Sequence, residues 1–259
     1  GSYALAVLWA GAPTSLVVAR RQAPLIIGLG EGEFICASDT PAIANFTNII
    51  LPMEDEEIAL LTPLGIEIYD SNNERQYRNP VSLKVSEQII DKNNFKHYML
   101  KEIYDQPSTA KNWLENYLVK NLENSQYQIK YPFDTNFFES IERIEIVACG
   151  TSKHAAMVGS FLLEQFSGIP TNVFYASEFR YSPPPLLPNT LTIGVTQSGE
   201  TADTIAAIDM EIKRRSSIDD EKFKPNIIAI TNRKESSIGR QVSNIIDICA
   251  GIEVGVAAT

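Results

Sequence analysis

The stretch IEIVACGTSKHAAMVGS, residues 144–160, decides the fold, and LTIGVTQSGETADTIAAIDMEIKRR, residues 191–215, repeats its design. Each begins with a short apolar run, continues into a turn of small and hydroxyl-bearing residues, and ends in a helical pattern. A strand, a tight turn and a helix in this order make half of a βαβ unit. The two stretches therefore predict an α/β fold with a parallel sheet.

The turns CGTS (149–152) and TQSGET (196–201) both stand where a helix is predicted to begin. Such turns offer backbone N–H groups, hydroxyls and the positive end of the helix dipole to an anion. A single turn of this kind is more often a helix cap than a ligand site. Turns that follow strands of one parallel sheet, however, meet at the edge where α/β proteins bind ligands. Neither turn has the spacing of a nucleotide-binding loop, so the pair predicts a site for another phosphorylated ligand.

The region around these turns alternates between strands and helices, which predicts helices on both faces of the sheet. The predicted strands are 144–148, 172–175, 191–195, 227–230 and 245–249, and the predicted helices are 152–166, 201–215 and 236–242. An extended loop is expected to replace a helix at 178–185, where three prolines follow EFRY.

The chain before residue 111 has a different character. Residues 3–83 contain short strand-like runs separated by Gly, Pro and polar residues, and they predict a β-rich domain. Residues 84–110 predict a linker that enters a short helix, which Pro107 ends or punctuates. An amphipathic helix is predicted at 108–122.

Composition and charge exclude several classes of function. The 259 residues are 44% hydrophobic and carry a formal net charge of -10, which argues against nucleic acid or an anionic membrane as partner. The three cysteines are odd in number and widely spaced, as is typical of a reducing compartment. They form no zinc-binding pattern. No apolar run reaches membrane-spanning length and no secretory signal pattern is present. We therefore expect a cytoplasmic protein, and we interpret the chain as a segment of a longer one.

Five features allow a catalytic or metal-binding interpretation, and for each the structural interpretation is favoured. Cys149 is more often a small core residue than a nucleophile, since its motif contains no paired base. His97 is expected to be a packed or hydrogen-bonded linker residue, and His154 is expected to have a packing or surface role. Glu200 is expected to be a first-turn carboxylate that the helix dipole stabilises rather than a catalytic base. The acidic run 54–57 is expected to be a solvated loop rather than a metal site.

Five phrases together resemble one family. They are CGTS (149–152), ASEFRY (176–181), QSGETADT (197–204), HYMLKEIYDQP (97–107) and APLIIGLGEGEFI (23–35). They resemble the glutamine–fructose-6-phosphate amidotransferases (isomerizing), also called glucosamine-6-phosphate synthases, in the order in which that family carries them. The resemblance covers nearly the whole chain.

The resemblance implies a division of labour along the chain. Residues 1–83 would be the C-terminal part of an N-terminal-nucleophile glutaminase domain, 84–110 the interdomain linker, and 111–259 the first of two sugar isomerase (SIS) subdomains. The family uses ammonia from glutamine to convert fructose-6-phosphate to glucosamine-6-phosphate, as a homodimer and without a metal or organic cofactor. The family's catalytic residues would lie outside this chain, so the chain alone is expected to be inactive. The alternative is a non-catalytic SIS module that binds a sugar phosphate to regulate a partner; the glutaminase-like residues 3–83 argue against it.

The resemblance also implies a set of sugar-phosphate-binding residues. They are Cys149, Gly150, Thr151, Ser152, Thr196, Gln197, Ser198, Thr201, Val256 and Ala258. Thr196 stands where the family often has Ser, which keeps the hydroxyl. Ala258 stands where the family commonly has Ser, so only a backbone contact is expected there.

Overall fold

The chain divides into two compact units, residues 1–89 and residues 90–259. The computed structural model describes residues 3–38, 40–44, 46–82, 92–121, 126–251 and 253–255, with the backbone alone at residues 40 and 41. Within these ranges no helix has the length and apolar character needed to cross a membrane.

Unit 1 consists of two antiparallel sheets and one turn of helix. Its strands are β1 (Tyr3–Leu8), β2 (Leu16–Arg21), β3 (Ile26–Leu29), β4 (Phe34–Ala37), β5 (Ile49–Pro52), β6 (Ile58–Thr62), β7 (Gly65–Tyr69), β8 (Arg75–Gln76) and β9 (Val81–Ser82), and α1 is Thr40–Ile43. The sheet orders are β1-β2-β6-β7-β8 and β4-β3-β5-β9. Alternate side chains of the first sheet, such as Val18 and Leu61, pack against Ile27 and Leu51 of the second. This period-two burial explains why the sequence predicts short strands here.

The acidic run 54–57 is only partly the solvated loop that the sequence predicts. Glu57 is buried, and its carboxylate accepts a hydrogen bond from the Glu54 backbone N–H at 2.6 Å and forms an ion pair with Arg78. The pairing with a side chain 21 residues away explains how a charged group is tolerated inside the unit.

Unit 2 is built on a five-stranded parallel sheet of order β13-β12-β14-β15-β16. Its strands are β12 (Arg143–Ala148), β13 (Thr171–Tyr175), β14 (Thr190–Val195), β15 (Asn226–Thr231) and β16 (Ile245–Asp247). The longer helices are α2 (Tyr98–Tyr117), α3 (Gly150–Ser167) and α5 (Ala202–Ser216), and the shorter ones are α4 (Ala176–Phe179) and α6 (Ser237–Gln241). The parallel register opposes Ile146 to Ile193 and to Val173. The predicted parallel sheet is thus confirmed.

The helices of unit 2 cover both faces of this sheet. Ala156 of α3 packs with Ile146 and Ile193 on one face. On the other face, Ile208 of α5 packs with Ala229. Because both faces are covered, the central strands are nearly continuous apolar runs rather than alternating ones. The prediction of helices on both faces is confirmed.

Three predictions in unit 2 are wrong in detail. α2 continues without a break through Pro107, so the predicted helix at 108–122 is the second half of a longer helix. α2 ends at Tyr117 rather than at residue 122. Two antiparallel strands follow it, β10 (Leu118–Lys120) and β11 (Tyr127–Ile129). One helical turn, α4, occupies the start of the predicted extended loop. β16 ends at Asp247 rather than at residue 249, since Cys249 adopts a left-handed backbone with φ +57°.

Candidate functional site

The two turns predicted to bind an anion follow neighbouring strands at the centre of the sheet. β12 lies next to β14, and the chain continues from them in opposite directions, to β13 on one side and to β15 on the other. The helices that follow, α3 and α5, lie on opposite faces of the sheet. This reversal of strand order opens a crevice at the carboxyl edge of an α/β sheet. The turns 149–152 and 196–201 therefore both end at that crevice.

The first turn leaves the start of α3 available to a ligand. Cys149 is the N-cap residue in an extended conformation and its side chain makes no capping hydrogen bond. Gly150 begins the helix with φ +55°, a conformation that a residue with a side chain rarely adopts. The N–H groups of a first helical turn have no partner within the helix. Thr151, which is exposed, and Ser152, which is half-buried, add hydroxyls beside them.

Cys149 is half-buried against a small apolar cluster that contains Val147 and Phe179. This environment agrees with the interpretation of Cys149 as a small packing residue. The two histidines that the sequence singled out are both exposed. His97 is the N-cap residue of α2 and its side chain makes no capping hydrogen bond; because the side chain is exposed, the expectation that it is packed is wrong.

The second turn is held together by its own hydroxyls. Thr196 is buried, and its Oγ1 lies 2.8 Å from Oγ1 of Thr201, the N-cap residue of α5. The Oγ of Ser198 accepts a hydrogen bond from the Glu200 backbone N–H at 3.1 Å. The Thr201 side chain makes no capping bond to its own helix. Thr196 thus orients Thr201, while Ser198 and Thr201 are half-buried at the edge of the turn.

Glu200 links this turn to α6 and is not placed as a base. Its carboxylate accepts hydrogen bonds from the Ser237 backbone N–H at 2.8 Å and from the Ser237 hydroxyl at 2.7 Å. It therefore caps the first turn of α6, where a negative charge is stabilised by the helix dipole. Glu200 thus interacts with the start of a helix, as expected, but that helix is α6 rather than α5, which follows Glu200 directly in the chain.

A cavity of about 610 Å³ opens beside the two turns, on the α3 face of the sheet. Thr151, Ser152 and Gln197 of the predicted set line it. Its other lining residues are Glu102, Asp105, Thr109, Ile146, Ala155, Ala156, Gly159, Leu162, Leu163, Ile193, Val195, Ile230, Ile248, Ala250 and Glu253. None of these described lining residues is Lys or Arg. Neutral donors, a mostly apolar wall and the three carboxylates of Glu102, Asp105 and Glu253 thus surround the space that a ligand would fill.

The predicted site residues divide into three groups. Thr151, Ser152 and Gln197 line the cavity, and Cys149, Gly150, Thr196, Ser198 and Thr201 build the turns beside it. Val256 and Ala258 lie outside the described residues.

Sequence reasoning missed the contribution of α2 to the cavity. Glu102, Asp105 and Thr109 line it from one face of that helix. The signal for them was present, since polar residues at positions i, i+3 and i+7 share one helix face. The predicted helix boundary at Pro107 hid this pattern.

Two titratable groups, Tyr117 and Cys249, are connected with the chain next to Ile248, a residue that lines the cavity. The Tyr117 hydroxyl accepts a hydrogen bond from the Asp247 backbone N–H at 2.8 Å, and burial raises the pKa of this phenol. Burial and then the Asp247 carboxylate raise the pKa of the Cys249 thiol, so this thiol stays protonated at neutral pH. No group of three or more His, Cys, Asp or Glu side chains suited to a metal ion occurs in the described part of the chain.

Comparison with known proteins extends these observations. Residues 137–259 match the family described as SIS domain. The whole chain is 53% identical to a glutamine–fructose-6-phosphate aminotransferase (isomerizing) of Thermosynechococcus vestitus and 51% identical to that of a Synechocystis species, covering 42% of each relative. The chain therefore spans about two fifths of the length of these curated relatives.

A solved structure shares the architecture of unit 2. It is the C-terminal domain of glucosamine-fructose-6-phosphate aminotransferase from Francisella tularensis, which is 35% identical with a TM-score of 0.54, over 65% of this chain and 44% of that one. Sequence identity along the whole chain and likeness of fold point to the same family that the motifs resemble. Curated relatives that are 51–53% identical over the whole chain are thus glutamine–fructose-6-phosphate aminotransferases (isomerizing), and residues 137–259 match the SIS domain.

Proposed function

We propose that this chain supplies the sugar-phosphate-binding half of an enzyme that makes glucosamine-6-phosphate from fructose-6-phosphate and glutamine. The observation that carries the proposal is the convergence of two helix-starting turns on one cavity at the point where the strand order reverses. The names and the full-chain identity of the relatives support the reaction.

The phosphate is held in this proposal by neutral donors. The first-turn N–H groups of α3, the Ser152 hydroxyl and the Gln197 side chain bind its oxygens from one side of the crevice. Ser198 and Thr201 bind from the other side, with Thr196 fixing the Thr201 hydroxyl. Hydrogen bonds to a charged group are worth roughly 1.5–3 kcal/mol each, so several of them bind a phosphate dianion without a cationic side chain.

The remaining assignments follow from the family and are part of the same proposal. Residues 1–83 serve as the end of the glutamine-hydrolysing domain, residues 84–110 join it to the SIS domain, and the protein acts as a homodimer. The two antiparallel sheets of unit 1 support the first assignment. Because relatives named as aminotransferases match unit 1 as well as unit 2, a free-standing regulatory SIS module is the weaker alternative.

Calorimetric titration of fructose-6-phosphate and of fructose into the chain tests the proposal. We expect binding of the phosphorylated sugar only, and a loss of about tenfold in affinity for Ser152→Ala, since one hydrogen bond to a charged group is removed. Ser160→Ala is the matched control, because Ser160 lies on the same helix and its hydroxyl donates to the Met157 carbonyl at 2.8 Å. Equal affinity of the two variants would show that Ser152 has no part in binding, and absence of any binding would refute the proposed function.

A further inference from the structure

One carboxylate of α2 holds the last described loop of the chain. Oε1 of Glu102 accepts hydrogen bonds from the backbone N–H groups of Val254 at 2.7 Å and of Gly255 at 2.9 Å, and Oε2 lies 3.2 Å from the Gly255 nitrogen. The partners are 152 and 153 residues apart in sequence. Bonds from N–H groups to an ionised carboxylate are shorter and stronger than those to a neutral acceptor.

The short distance between Glu102 and Gly255 limits which residue position 255 can hold without moving the Glu102 side chain. A Cβ atom added at Gly255 would lie 2.2 Å from Oε2 of Glu102 and 3.5 Å from the Cα of Met99. A side chain at position 255 would therefore displace the Glu102 carboxylate, whereas the backbone of α2 at Met99 stays at ordinary contact distance.

The same loop is tied at its other end to the second phosphate turn. Asn232 accepts a hydrogen bond from the Ala250 backbone N–H at 2.9 Å through Oδ1, and its Nδ2 donates to the Gly251 carbonyl. The backbone N–H of Asn232 in turn donates to the Gln197 carbonyl at 3.0 Å. The loop is thus bound to the candidate site by Asn232 and to α2 by Glu102.

The charge of Glu102 is directed at the loop rather than at a neighbouring cation. The next carboxylate on this face of α2, Asp105, pairs with Lys101 at 2.6 Å. Among the described residues, Glu102 has no such partner, and the only groups that it contacts by hydrogen bonds are the two loop N–H groups. Glu102 also lines the cavity together with Thr151 and Ser152.

We propose that Glu102 is a positioning residue of the sugar-phosphate site, which acts by fixing the loop through Gly255. The loop lines the cavity through Ala250 and Glu253, so a shift of the loop would change the space offered to the sugar while leaving the hydroxyls and N–H groups of the two turns in place. This inference rests on the proposed function. It adds the helix that begins at residue 98 to the parts of the chain that determine sugar binding.

The test compares Glu102→Gln, which keeps the volume but removes the charge, with Glu115→Ala. Glu115 lies on the same helix and forms only an exposed pair with Lys111, at 3.7 Å. Two quantities are measured on the whole chain: amide hydrogen exchange at Val254 and Gly255, and calorimetric affinity for glucosamine-6-phosphate and for inorganic phosphate. We expect Glu102→Gln to speed exchange at both amides and to weaken glucosamine-6-phosphate binding about tenfold. Affinity for inorganic phosphate should change less than about twofold, because the two turns stay intact.

The possible outcomes separate this inference from the proposed function. Faster exchange with unchanged affinity for glucosamine-6-phosphate would overturn the positioning role and leave Glu102 as a structural contact. Equal loss of affinity for both ligands, or the same effect from Glu115→Ala, would show a general weakening of the unit and would also overturn it. Failure of the unmodified chain to bind either ligand would overturn the proposed function, and the positioning role with it.

Discussion

Gly199, in the middle of the turn 196–201, is expected to tolerate no side chain. Its backbone has φ +68°, and a Cβ atom there would lie 1.9 Å from Oγ and 2.4 Å from Cβ of Ser236. Ser236 is buried and its hydroxyl donates to the Arg233 carbonyl at 2.6 Å, so it cannot move aside freely. Gly199→Ala therefore combines a backbone penalty with a steric one.

The two terms have comparable size. A residue with a side chain in the left-handed region costs roughly 1–2 kcal/mol, and an extra methyl group in a packed interior costs about 1–3 kcal/mol. Gly199→Ala should thus lower the free energy of unfolding of unit 2 by about 2–5 kcal/mol. Gly150→Ala is the control for the backbone term, because Gly150 has φ +55° but no atom within 4 Å of an added Cβ.

Urea unfolding followed by the fluorescence of Trp113 measures this difference. A Trp9→Phe background removes the signal of unit 1, since the chain has two tryptophans and Trp9 belongs to that unit. In a double-mutant cycle, with each change measured relative to Ser236→Gly alone, Ser236→Gly should restore about 1–3 kcal/mol of the stability lost in Gly199→Ala and none of that lost in Gly150→Ala. If Gly199→Ala is no more destabilising than Gly150→Ala, or if Ser236→Gly restores nothing, the steric argument is wrong.

Two further predictions concern single hydrogen bonds and buried charge. Thr201→Val should weaken fructose-6-phosphate binding about tenfold, because it removes a hydrogen-bond donor to the ligand, and calorimetry measures this effect. The same change should lower the free energy of unfolding of unit 2 by roughly 1–3 kcal/mol, because the buried Thr196 hydroxyl loses its partner at 2.8 Å. Urea unfolding measures this second effect. Burial, and then the Glu211 carboxylate, raise the pKa of Glu145. The folded chain therefore holds this proton more tightly than the unfolded chain, so the stability from this group is full below the ordinary Glu pKa of about 4.3 and is lost as the pH rises through the raised pKa. Glu145→Gln should accordingly increase the free energy of unfolding at pH 8 and have little effect near pH 4; an equal effect at both pH values would contradict this reasoning.

The sheet of unit 2 and the turns beside it could be predicted because the information is local. The strands at 144–148 and 191–195 are covered on both faces, so they occur in the sequence as largely apolar runs, interrupted by Glu145 and Thr192, that are followed by turns containing Gly, Ser and Thr. The helix starts follow at once, and the predicted boundaries differ from the observed ones by two residues or fewer at these strands and their helices. The prediction that the two turns meet at one edge of the sheet followed from the parallel strand order.

The remaining features depend on contacts between distant residues. Proline disfavours a helix interior by about 3 kcal/mol, yet α2 continues through Pro107, with Lys101–Asp105 and Lys111–Glu115 ion pairs on either side and a 2.7 Å bond from the Ser108 hydroxyl to the Asp105 carbonyl. The Glu57–Arg78 pair and the contact of Glu102 with the loop are also non-local. Neither of these two contacts can be predicted from the sequence pattern of a single helix or strand.

The absence of Lys and Arg among the described lining residues of the cavity has a consequence for how a ligand arrives. Among the described lining residues the ionisable side chains are the carboxylates of Glu102, Asp105 and Glu253, and the chain as a whole carries a formal net charge of -10. An approaching phosphate is therefore repelled at long range and attracted only within reach of the N–H and hydroxyl dipoles. Added salt screens the repulsion over about 10 Å at 0.1 M and leaves the short-range bonds intact. Association should thus become faster as ionic strength rises, the reverse of the behaviour of anion sites built from lysine and arginine.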